Sequence, residues 1–173
     1  MAKKIVFLDR DGVINKLVER DGRMVSPQTF DDFEIFPGVP LAIQILRDAG
    51  YQVVVVTNQP DISRGLMRLE ELELMHTLVS ALGVTQIRVC PHSDEDHCKC
   101  RKPKPGLLAE YLEGVDEFVS ELWMVGDMQS DLEAGRAVRA RVIIIGAHGT
   151  RANSDSQKTE ESLLGAVMYI TAH

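Results

Sequence analysis

Two aspartates, one residue apart, follow a short apolar run near the start of the chain. Asp9 and Asp11 flank Arg10 directly after residues 5–8, and Gly12 follows them. Carboxylates two positions apart on an extended segment point to the same side. One could attack phosphorus and bind a metal while the other exchanges protons. A bare Asp-x-Asp is more often a polar strand end, but the apolar run before it and the glycine after it favour the chemical interpretation.

A second acidic pair follows another apolar run. Gly126 and Asp127 come directly after residues 122–125, and Asp131 lies four positions further on. Mg²⁺ prefers oxygen ligands, which can be gathered from two or three strand ends. The pattern predicts a magnesium site that includes Asp127, whereas Asp131 also sits where a helix N-cap residue would lie.

The three cysteines of the chain lie within one short segment that also contains histidine. An odd number of cysteines in one cluster argues against a disulfide framework and favours a metal site or a reducing compartment. One imidazole and three thiolates are the ligand set of a closed, structural zinc site. His97 is a competing ligand, but we favour His92, because its spacing from Cys90 mirrors the spacing of the other two cysteines. The predicted zinc ligands are Cys90, His92, Cys98 and Cys100.

Short apolar runs, most of them rich in valine and isoleucine, alternate with helical patterns along the chain. Runs of this length favour parallel strands that are covered on both faces. The alternation predicts an α/β fold with a doubly wound, mostly parallel sheet. Ligands bind such sheets at the carboxyl ends of the strands, which is where the acidic pairs lie. The predicted strands are residues 5–8, 53–56, 87–89, 122–125 and 142–145.

Four helices are predicted between the strands. We expect the first to bury a face that includes Leu41, Ile45, Leu46 and Ala49, with Gly50 ending the helix. The second repeats apolar residues at helical spacing and ends at a glycine, the third begins after a proline, and the fourth is short. These three patterns cover 72–82, 107–111 and 131–138.

Two segments depart from this pattern. Residues 15–36 are polar, with a turn expected at Asp21 and Gly22, and predict a flap or hairpin. Residues 151–161 predict a polar linker before an amphipathic helix over 162–171. We therefore expect one domain over 1–150, which includes the zinc loop 90–100 and has no separate cap domain. Residues 151–173 would form a linker and a helix that packs on that domain.

The composition is that of a single globular domain. The chain has 173 residues, 45% hydrophobic and 26% charged, with a net charge of −7. This length allows a proper core, while the negative charge disfavours nucleic acid and anionic membranes as partners. No apolar run is long enough for a signal peptide or a membrane span. We predict a cytoplasmic protein.

Four motifs together resemble the haloacid dehalogenase superfamily of phosphatases, which use an aspartate nucleophile. They occur in the family's order and extend the resemblance from about residue 5 to about residue 145. Each motif alone is weak, but the set is specific. The motifs are residues 7–15, 56–59, 101–103 and 126–131.

The resemblance implies a role for each matching position. Asp9 would attack phosphorus and form an aspartyl-phosphate, and Asp11 would protonate the leaving oxygen and later activate water. Thr57 would hydrogen-bond the phosphoryl group and Lys102 would neutralise its charge. Asp127 would hold Mg²⁺ together with the Asp9 carboxylate and the Asp11 backbone carbonyl. We count Asn58, Gln59, Arg64 and Arg101 as further phosphate or substrate contacts.

Within the superfamily, the cysteine and histidine loop resembles two groups that lack a large cap. One hydrolyses a heptose bisphosphate of lipopolysaccharide core synthesis, and the other hydrolyses histidinol phosphate. The loop over residues 58–65 favours the heptose group, although Met128 replaces a basic residue that many of its members carry. We predict a small phosphorylated sugar as substrate and a monomer in solution. A zinc-stapled binding protein without turnover is the alternative from another class.

Overall fold

The structure is a computed structural model that describes residues 2–146 and 158–173. Its main sheet has six parallel strands in the order β5-β4-β1-β6-β7-β8. The strands are β1 (Lys3–Leu8), β4 (Tyr51–Asn58), β5 (Gln86–Cys90), β6 (Val119–Gly126), β7 (Arg141–Ile145) and β8 (Lys158–Glu160). The helices are α1 (Val39–Asp48), α2 (Leu69–Ala81), α3 (Gly106–Glu113), α4 (Gln129–Ala137) and α5 (Leu163–Ala172). The doubly wound α/β fold is confirmed.

Alternating side chains of the central strands belong to two hydrophobic cores, one on each face of the sheet. Val6 and Leu8 pack among α1, α2 and α5, whereas Ile5 and Phe7 pack among α3 and α4. This is the period of two expected of a strand that is covered on both faces. Strand β1 is therefore fixed from both sides, and its carboxyl end is a rigid place for a functional group.

The face that α1 buries differs from the expected one. Val39, Ala42, Ile43 and Leu46 are buried, whereas Leu41 is 52% exposed. The buried positions follow the i, i+3, i+4, i+7 spacing of a helix that begins at residue 39. The placement of Leu41 on the buried face was wrong, whereas Leu46 is buried and Ile45 and Ala49 pack partly against the core. The expected face was assigned from the large side chains and passed over Val39 and Ala42.

The polar segment after β1 forms the predicted hairpin. Strands β2 (Val18–Arg20) and β3 (Arg23–Val25) pair antiparallel. Asp21 and Gly22 connect them, both with positive φ, as a tight two-residue hairpin turn requires. No separate cap domain is found in residues 2–146 and 158–173.

The end of the expected linker is a strand instead. Lys158–Glu160 forms β8 beside β7 at the edge of the sheet, because backbone pairing with β7 does not require apolar side chains. Residues 151–157 of that linker lie outside the described residues. Helix α5 starts after Ser162, whose side chain accepts from the Gly165 N–H, and packs on α1. None of the helices described is both long and apolar enough to cross a bilayer.

Candidate active site and metal centre

The polar residues singled out in the sequence meet at the carboxyl edge of the sheet. Asp9 directly follows β1, and its N–H donates to the Val125 carbonyl of β6 at 2.9 Å. Asp127 follows β6, and Thr57 lies near the end of β4. Because β1 lies between β4 and β6, the topology alone brings these residues together.

A buried lysine links the strand ends. Lys102 is 4% exposed, and its Nζ donates to Asp9 Oδ1 at 2.7 Å and to Asp131 Oδ1 at 2.6 Å. It also donates to the Val56 carbonyl at 2.8 Å. The ammonium is therefore fully hydrogen-bonded. Asp9, Lys102, Asp127 and Asp131 are called the carboxylate cluster below.

Asp131, for which the sequence left both a metal site and a helix N-cap open, belongs to this cluster. It lies in the first turn of α4, where its Oδ2 accepts from the N–H groups of Asp127 at 3.2 Å and Met128 at 3.1 Å. Met128, and not Asp131, occupies the N-cap position. The one available signal was its spacing from Asp127, which places it over the same strand end.

The carboxylate cluster carries more negative than positive charge. Burial, reinforced by Asp9 and Asp131, raises the pKa of Asp127 to about 8. Burial also raises the pKa of Asp9, to about 7, even though Lys102 opposes the change. In the opposite sense, burial would lower the pKa of Lys102, but Asp131 and Asp9 raise it well above its ordinary value. Three carboxylates thus face one ammonium.

A divalent cation fits this arrangement. Carboxylate oxygens of Asp9, Asp127 and Asp131 lie within 4.8 Å of one another. Within residues 2–146 and 158–173, Asp127 Oδ1 is buried and has no hydrogen-bond partner, which is costly unless a ligand is bound. Hard oxygen ligands suit Mg²⁺, and its charge would balance the excess of carboxylates.

Gly12 makes room for one of these carboxylates. A Cβ at this position would lie 2.2 Å from Asp127 Oδ2. The backbone also has a φ of +85°, which disfavours residues with a side chain. The glycine after the two aspartates is therefore required by a residue that is more than 100 positions away in the sequence.

Asp11 has a different environment from Asp9. Its Oδ1 accepts from Arg10 and from Asn15 Nδ2 at 2.9 Å, and its Oδ2 accepts from Gln59 Nε2 at 2.7 Å. Burial alone would raise the pKa of Asp11, but the Arg10 guanidinium and the two amides hold it below its ordinary value. The two aspartates therefore differ in the way that separate roles require.

The amides expected to contact phosphate make other contacts here. Asn58 pairs with the backbone of Lys102, donating to its carbonyl at 3.0 Å and accepting from its N–H at 3.1 Å. Gln59 donates to Thr57 Oγ1 at 2.8 Å as well as to Asp11. Asn58 thus fixes the lysine loop, and Gln59 connects Thr57 with the second aspartate.

Two arginines lie at the rim of the cavity above the cluster. The cavity has a volume of about 490 Å³ and is lined by Asp9, Asp11, Arg64 and Arg101 among others. Arg101 Nε donates to Asp94 at 2.7 Å, and Arg64 pairs more loosely with Asp61 at 3.4 Å. Arg101 also donates to the His92 carbonyl at 3.4 Å, and neither arginine is hydrogen-bonded to a residue of the carboxylate cluster.

The four predicted zinc ligands also come together. His92 Nδ1 lies 3.2 Å from Cys100 Sγ and 3.6 Å from Cys90 Sγ, and Cys90 Sγ lies 3.6 Å from Cys98 Sγ. All four ligand atoms lie within 4.8 Å of one another, and His97 is not among them. This group, called the thiol cluster below, is a donor set that suits tetrahedral zinc.

A parallel sheet that collects two aspartates, a lysine and a further acidic pair at one edge has the architecture of an α/β enzyme with a carboxylate-rich centre. The family model described as haloacid dehalogenase-like hydrolase matches residues 3–139. The chain belongs to this family.

Several relatives are similar over most of their length. The chain is 40% identical to the D-glycero-beta-D-manno-heptose-1,7-bisphosphate 7-phosphatase of Pseudomonas aeruginosa, covering 84% of this chain and 82% of that protein. It is 35% identical to the enzyme of the same name from Helicobacter pylori, covering 76% and 77%. The crystal structure of the D,D-heptose 1,7-bisphosphate phosphatase of B. bronchiseptica, complexed with magnesium and phosphate, has a TM-score of 0.82. It is 27% identical and covers 98% of both chains.

Proposed function

We propose that this protein is a Mg²⁺-dependent phosphomonoesterase that removes the 7-phosphate of D-glycero-D-manno-heptose 1,7-bisphosphate. The observation that carries the proposal is the buried Asp9–Lys102 pair beside Asp127, whose Oδ1 is buried with no partner among the residues described. The names of the relatives at up to 40% identity support the substrate. The magnesium and phosphate in the B. bronchiseptica structure support the metal and the ligand class.

Asp9 is the proposed nucleophile. Its Oδ1 is held by Lys102, so we assign the attack on phosphorus to Oδ2. An aspartyl-phosphate forms as the ester oxygen leaves, and water then hydrolyses it. Lys102, whose hydrogen bonds are already made, acts mainly as a fixed positive charge beside the transferring group.

The bound metal would supply further charge neutralisation at the phosphoryl oxygens. We assign it to the carboxylates of Asp9 and Asp127 and to the backbone carbonyl of Asp11. Thr57 is placed to hydrogen-bond the phosphoryl group through its hydroxyl, which accepts from Gln59 and can therefore donate outward.

Asp11 is the proposed acid and base. Its lowered pKa keeps it ionised in the free protein, which suits the activation of water in the second step. For the first step it must carry a proton. A phosphate dianion that binds next to it raises the pKa of Asp11 and so favours the protonated form.

Two arginines and the thiol cluster are the remaining predicted features. The arginines are assigned to the part of the substrate away from the reacting phosphate, and the thiol cluster to the loop that precedes Lys102. Arg64 and Arg101 supply positive charge at the rim, where a second phosphate of a bisphosphate would bind. We propose that zinc occupies the thiol cluster and fixes the loop that carries Arg101 and Lys102. The site is complete within one chain, so we propose a monomer, which sedimentation can measure.

Phosphate release tests the proposal. Wild-type protein with Mg²⁺ is assayed on heptose 1,7-bisphosphate, histidinol phosphate and fructose 1,6-bisphosphate. We expect the highest kcat/KM for the heptose substrate, with removal of one phosphate. A preference for histidinol phosphate would overturn the substrate but keep the chemistry, and no turnover on any of them would overturn the function.

A further inference from the structure

A buried arginine connects Asp11 to a histidine outside the site described above. Arg10 has no exposed surface, and its Nε and Nη2 donate to Asp11 Oδ1 at 3.1 and 2.9 Å. Its Nη1 donates to His76 Nε2 on α2 at 3.2 Å. Its guanidinium also lies over the Phe33 ring, 5.4 Å from the centroid. The chain of contacts runs from α2 to the second aspartate.

The contact fixes the state of the histidine. Arginine can only donate, so His76 Nε2 must accept, and the proton of a neutral ring lies on Nδ1. Burial, and then Arg10, lower the pKa of His76 to about 4. A buried guanidinium needs partners for its donors, and His76 is the acceptor for Nη1.

The same contacts distinguish the two oxygens of Asp11. Oδ1 accepts from Arg10 Nε, from Arg10 Nη2 and from Asn15 Nδ2. Oδ2 accepts from Gln59 and, at 3.1 Å, from Arg10 Nη2. Oδ1 therefore accepts three hydrogen bonds and Oδ2 two, and Oδ2 shares Arg10 Nη2 with Oδ1 at the longer distance. Oδ2 is thus the less tightly held oxygen and the one that can more readily exchange a partner for a proton or water.

We propose that His76 is a positioning residue for Asp11, acting through Arg10. By accepting from Nη1, it holds the guanidinium in the orientation that places Oδ1 of Asp11 against Arg10 and leaves Oδ2 for proton transfer. His76 touches no reacting atom. This inference rests on the proposed function, because it assigns a residue that supports the acid and base of that reaction.

Loss of the acceptor has a specific consequence. Without it, Nη1 is left unsatisfied in a buried place, and Arg10 turns toward the open groove that His76 lines together with Leu69 and Pro91. Asp11 then loses its paired contact and its fixed orientation. Proton transfer to the leaving oxygen suffers, whereas attack by Asp9 does not.

Two substrates with different leaving groups separate these effects. A sugar alkoxide needs a proton to leave, whereas p-nitrophenolate leaves without one, so the rate of its release in the first turnover reports attack by Asp9 alone. Rates of the first turnover are measured by rapid quench for the sugar phosphate that wild type hydrolyses best. The release of p-nitrophenol from p-nitrophenyl phosphate is measured by stopped flow.

The variants are His76→Leu, His76→Asn and His76→Gln. Glutamine can place its oxygen near the position of Nε2, whereas asparagine is equally polar but one methylene too short. Thr77→Val, a change at the next residue of α2, is the control, because among the described residues the Thr77 hydroxyl hydrogen-bonds within its own helix, to the Glu73 carbonyl. Thermal unfolding identifies variants that are not folded, and the polar Asn and Gln pair tests the inference even when His76→Leu fails to fold.

We expect His76→Leu and His76→Asn to slow the first turnover of the sugar phosphate about 10- to 100-fold, with little change in KM. The first turnover of p-nitrophenyl phosphate should stay within about 2-fold of wild type, followed by slower steady-state turnover, because Asp11 also activates water. His76→Gln should return to within about 3-fold of wild type on both substrates.

Three results would overturn the inference. These are equal losses on both leaving groups, no loss in a folded His76→Asn protein, and a His76→Gln protein no faster than His76→Asn. A wild-type protein that hydrolyses neither substrate would instead overturn the proposed function, and this inference with it.

Discussion

The carboxylate cluster and the thiol cluster are neighbours in the chain at one point, but they differ in what fixes the positions of their side chains. The carboxylate cluster draws on strand ends that are up to 93 residues from its lysine, and backbone pairing within the sheet fixes their positions. The thiol cluster lies within an eleven-residue segment that contains one short 3-10 turn and little regular structure. The first is positioned by the fold, whereas the second would be held by the zinc that we propose for it.

The two regions meet in a single loop. Cys100 belongs to the thiol cluster, and Lys102 lies two residues later in the carboxylate cluster. The less regular loop therefore supplies Lys102 to the carboxylate cluster, and Asn58 fixes the backbone of that lysine through a hydrogen bond. The difference indicates that loss of the nucleophile and loss of the zinc should affect activity through separate routes.

The largest effect is expected from Asp9→Asn. Removal of the nucleophile should lower turnover by roughly 10⁴-fold or more. Because this change removes one carboxylate from a cluster that lacks positive charge, metal-free protein should be at least as stable as wild type. Phosphate release and thermal unfolding measure the two effects. Turnover within a factor of about 10 of wild type would contradict the role of Asp9.

The next effect concerns the thiol cluster. Cys98→Ser should lower zinc content well below one per chain and reduce turnover about 10- to 100-fold, because the loop loses its fixed position. The Mg²⁺ dependence of the remaining activity should be unchanged, since Asp127 is not part of the loop. Zinc is measured by elemental analysis. His97→Ser is the matched control and should keep full zinc, and a zinc-replete Cys98→Ser protein would exclude that cysteine.

A third prediction concerns pH and the carboxylate cluster alone. The raised pKa values of Asp9, about 7, and of Asp127, about 8, against 3.8 for each ordinarily, mean that the folded metal-free protein binds protons that the unfolded chain does not. Its stability therefore falls as the pH rises from about 4 through about 8. Mg²⁺ competes with these protons, so the increase in Tm on adding it should be larger at about pH 8 than at about pH 5.5.

The measurement is thermal unfolding in zinc-replete buffer with and without Mg²⁺. Asp127→Asn is the control and should remove most of the increase in Tm at both pH values. An increase that is the same at both pH values in wild type would contradict the assignment of raised pKa values to the metal ligands.

The smallest effect is expected at the rim. Asp94→Asn removes the partner of Arg101 on a largely exposed surface, which leaves the guanidinium freer to bind a second phosphate. We expect KM for the bisphosphate to fall about 2-fold, with kcat unchanged, because exposed ion pairs are weak. A monophosphate should show no change. A larger loss of kcat would indicate that the ion pair positions the loop.

Much of this could be predicted from the sequence, for identifiable reasons. Apolar runs located the strands that carry Asp9, Thr57 and Asp127, because a strand covered on both faces needs a continuous apolar stretch. Topology then brings their ends together. Strand β8 was missed because an edge strand needs backbone pairing rather than apolar side chains, and Lys158–Glu160 is polar.

Pairs between distant parts of the chain left no periodic signal. Lys102 and Asp131 are 29 residues apart and on different elements, and Arg10 and His76 are 66 residues apart. Each of these side chains, considered alone in the sequence, is equally consistent with a solvated surface residue. Only the folded chain shows that Lys102 and Arg10 are buried.

The close approach of Gly12 and Asp127 has a consequence for how this chain tolerates change. The methyl group introduced by Gly12→Ala would occupy the space of an Asp127 carboxylate oxygen. It would therefore displace that oxygen from the proposed metal site. The proposed magnesium site could thus be lost without a change to any ligand. Mutagenesis of the metal ligands alone would therefore miss Gly12, a position that the arrangement of the ligands requires.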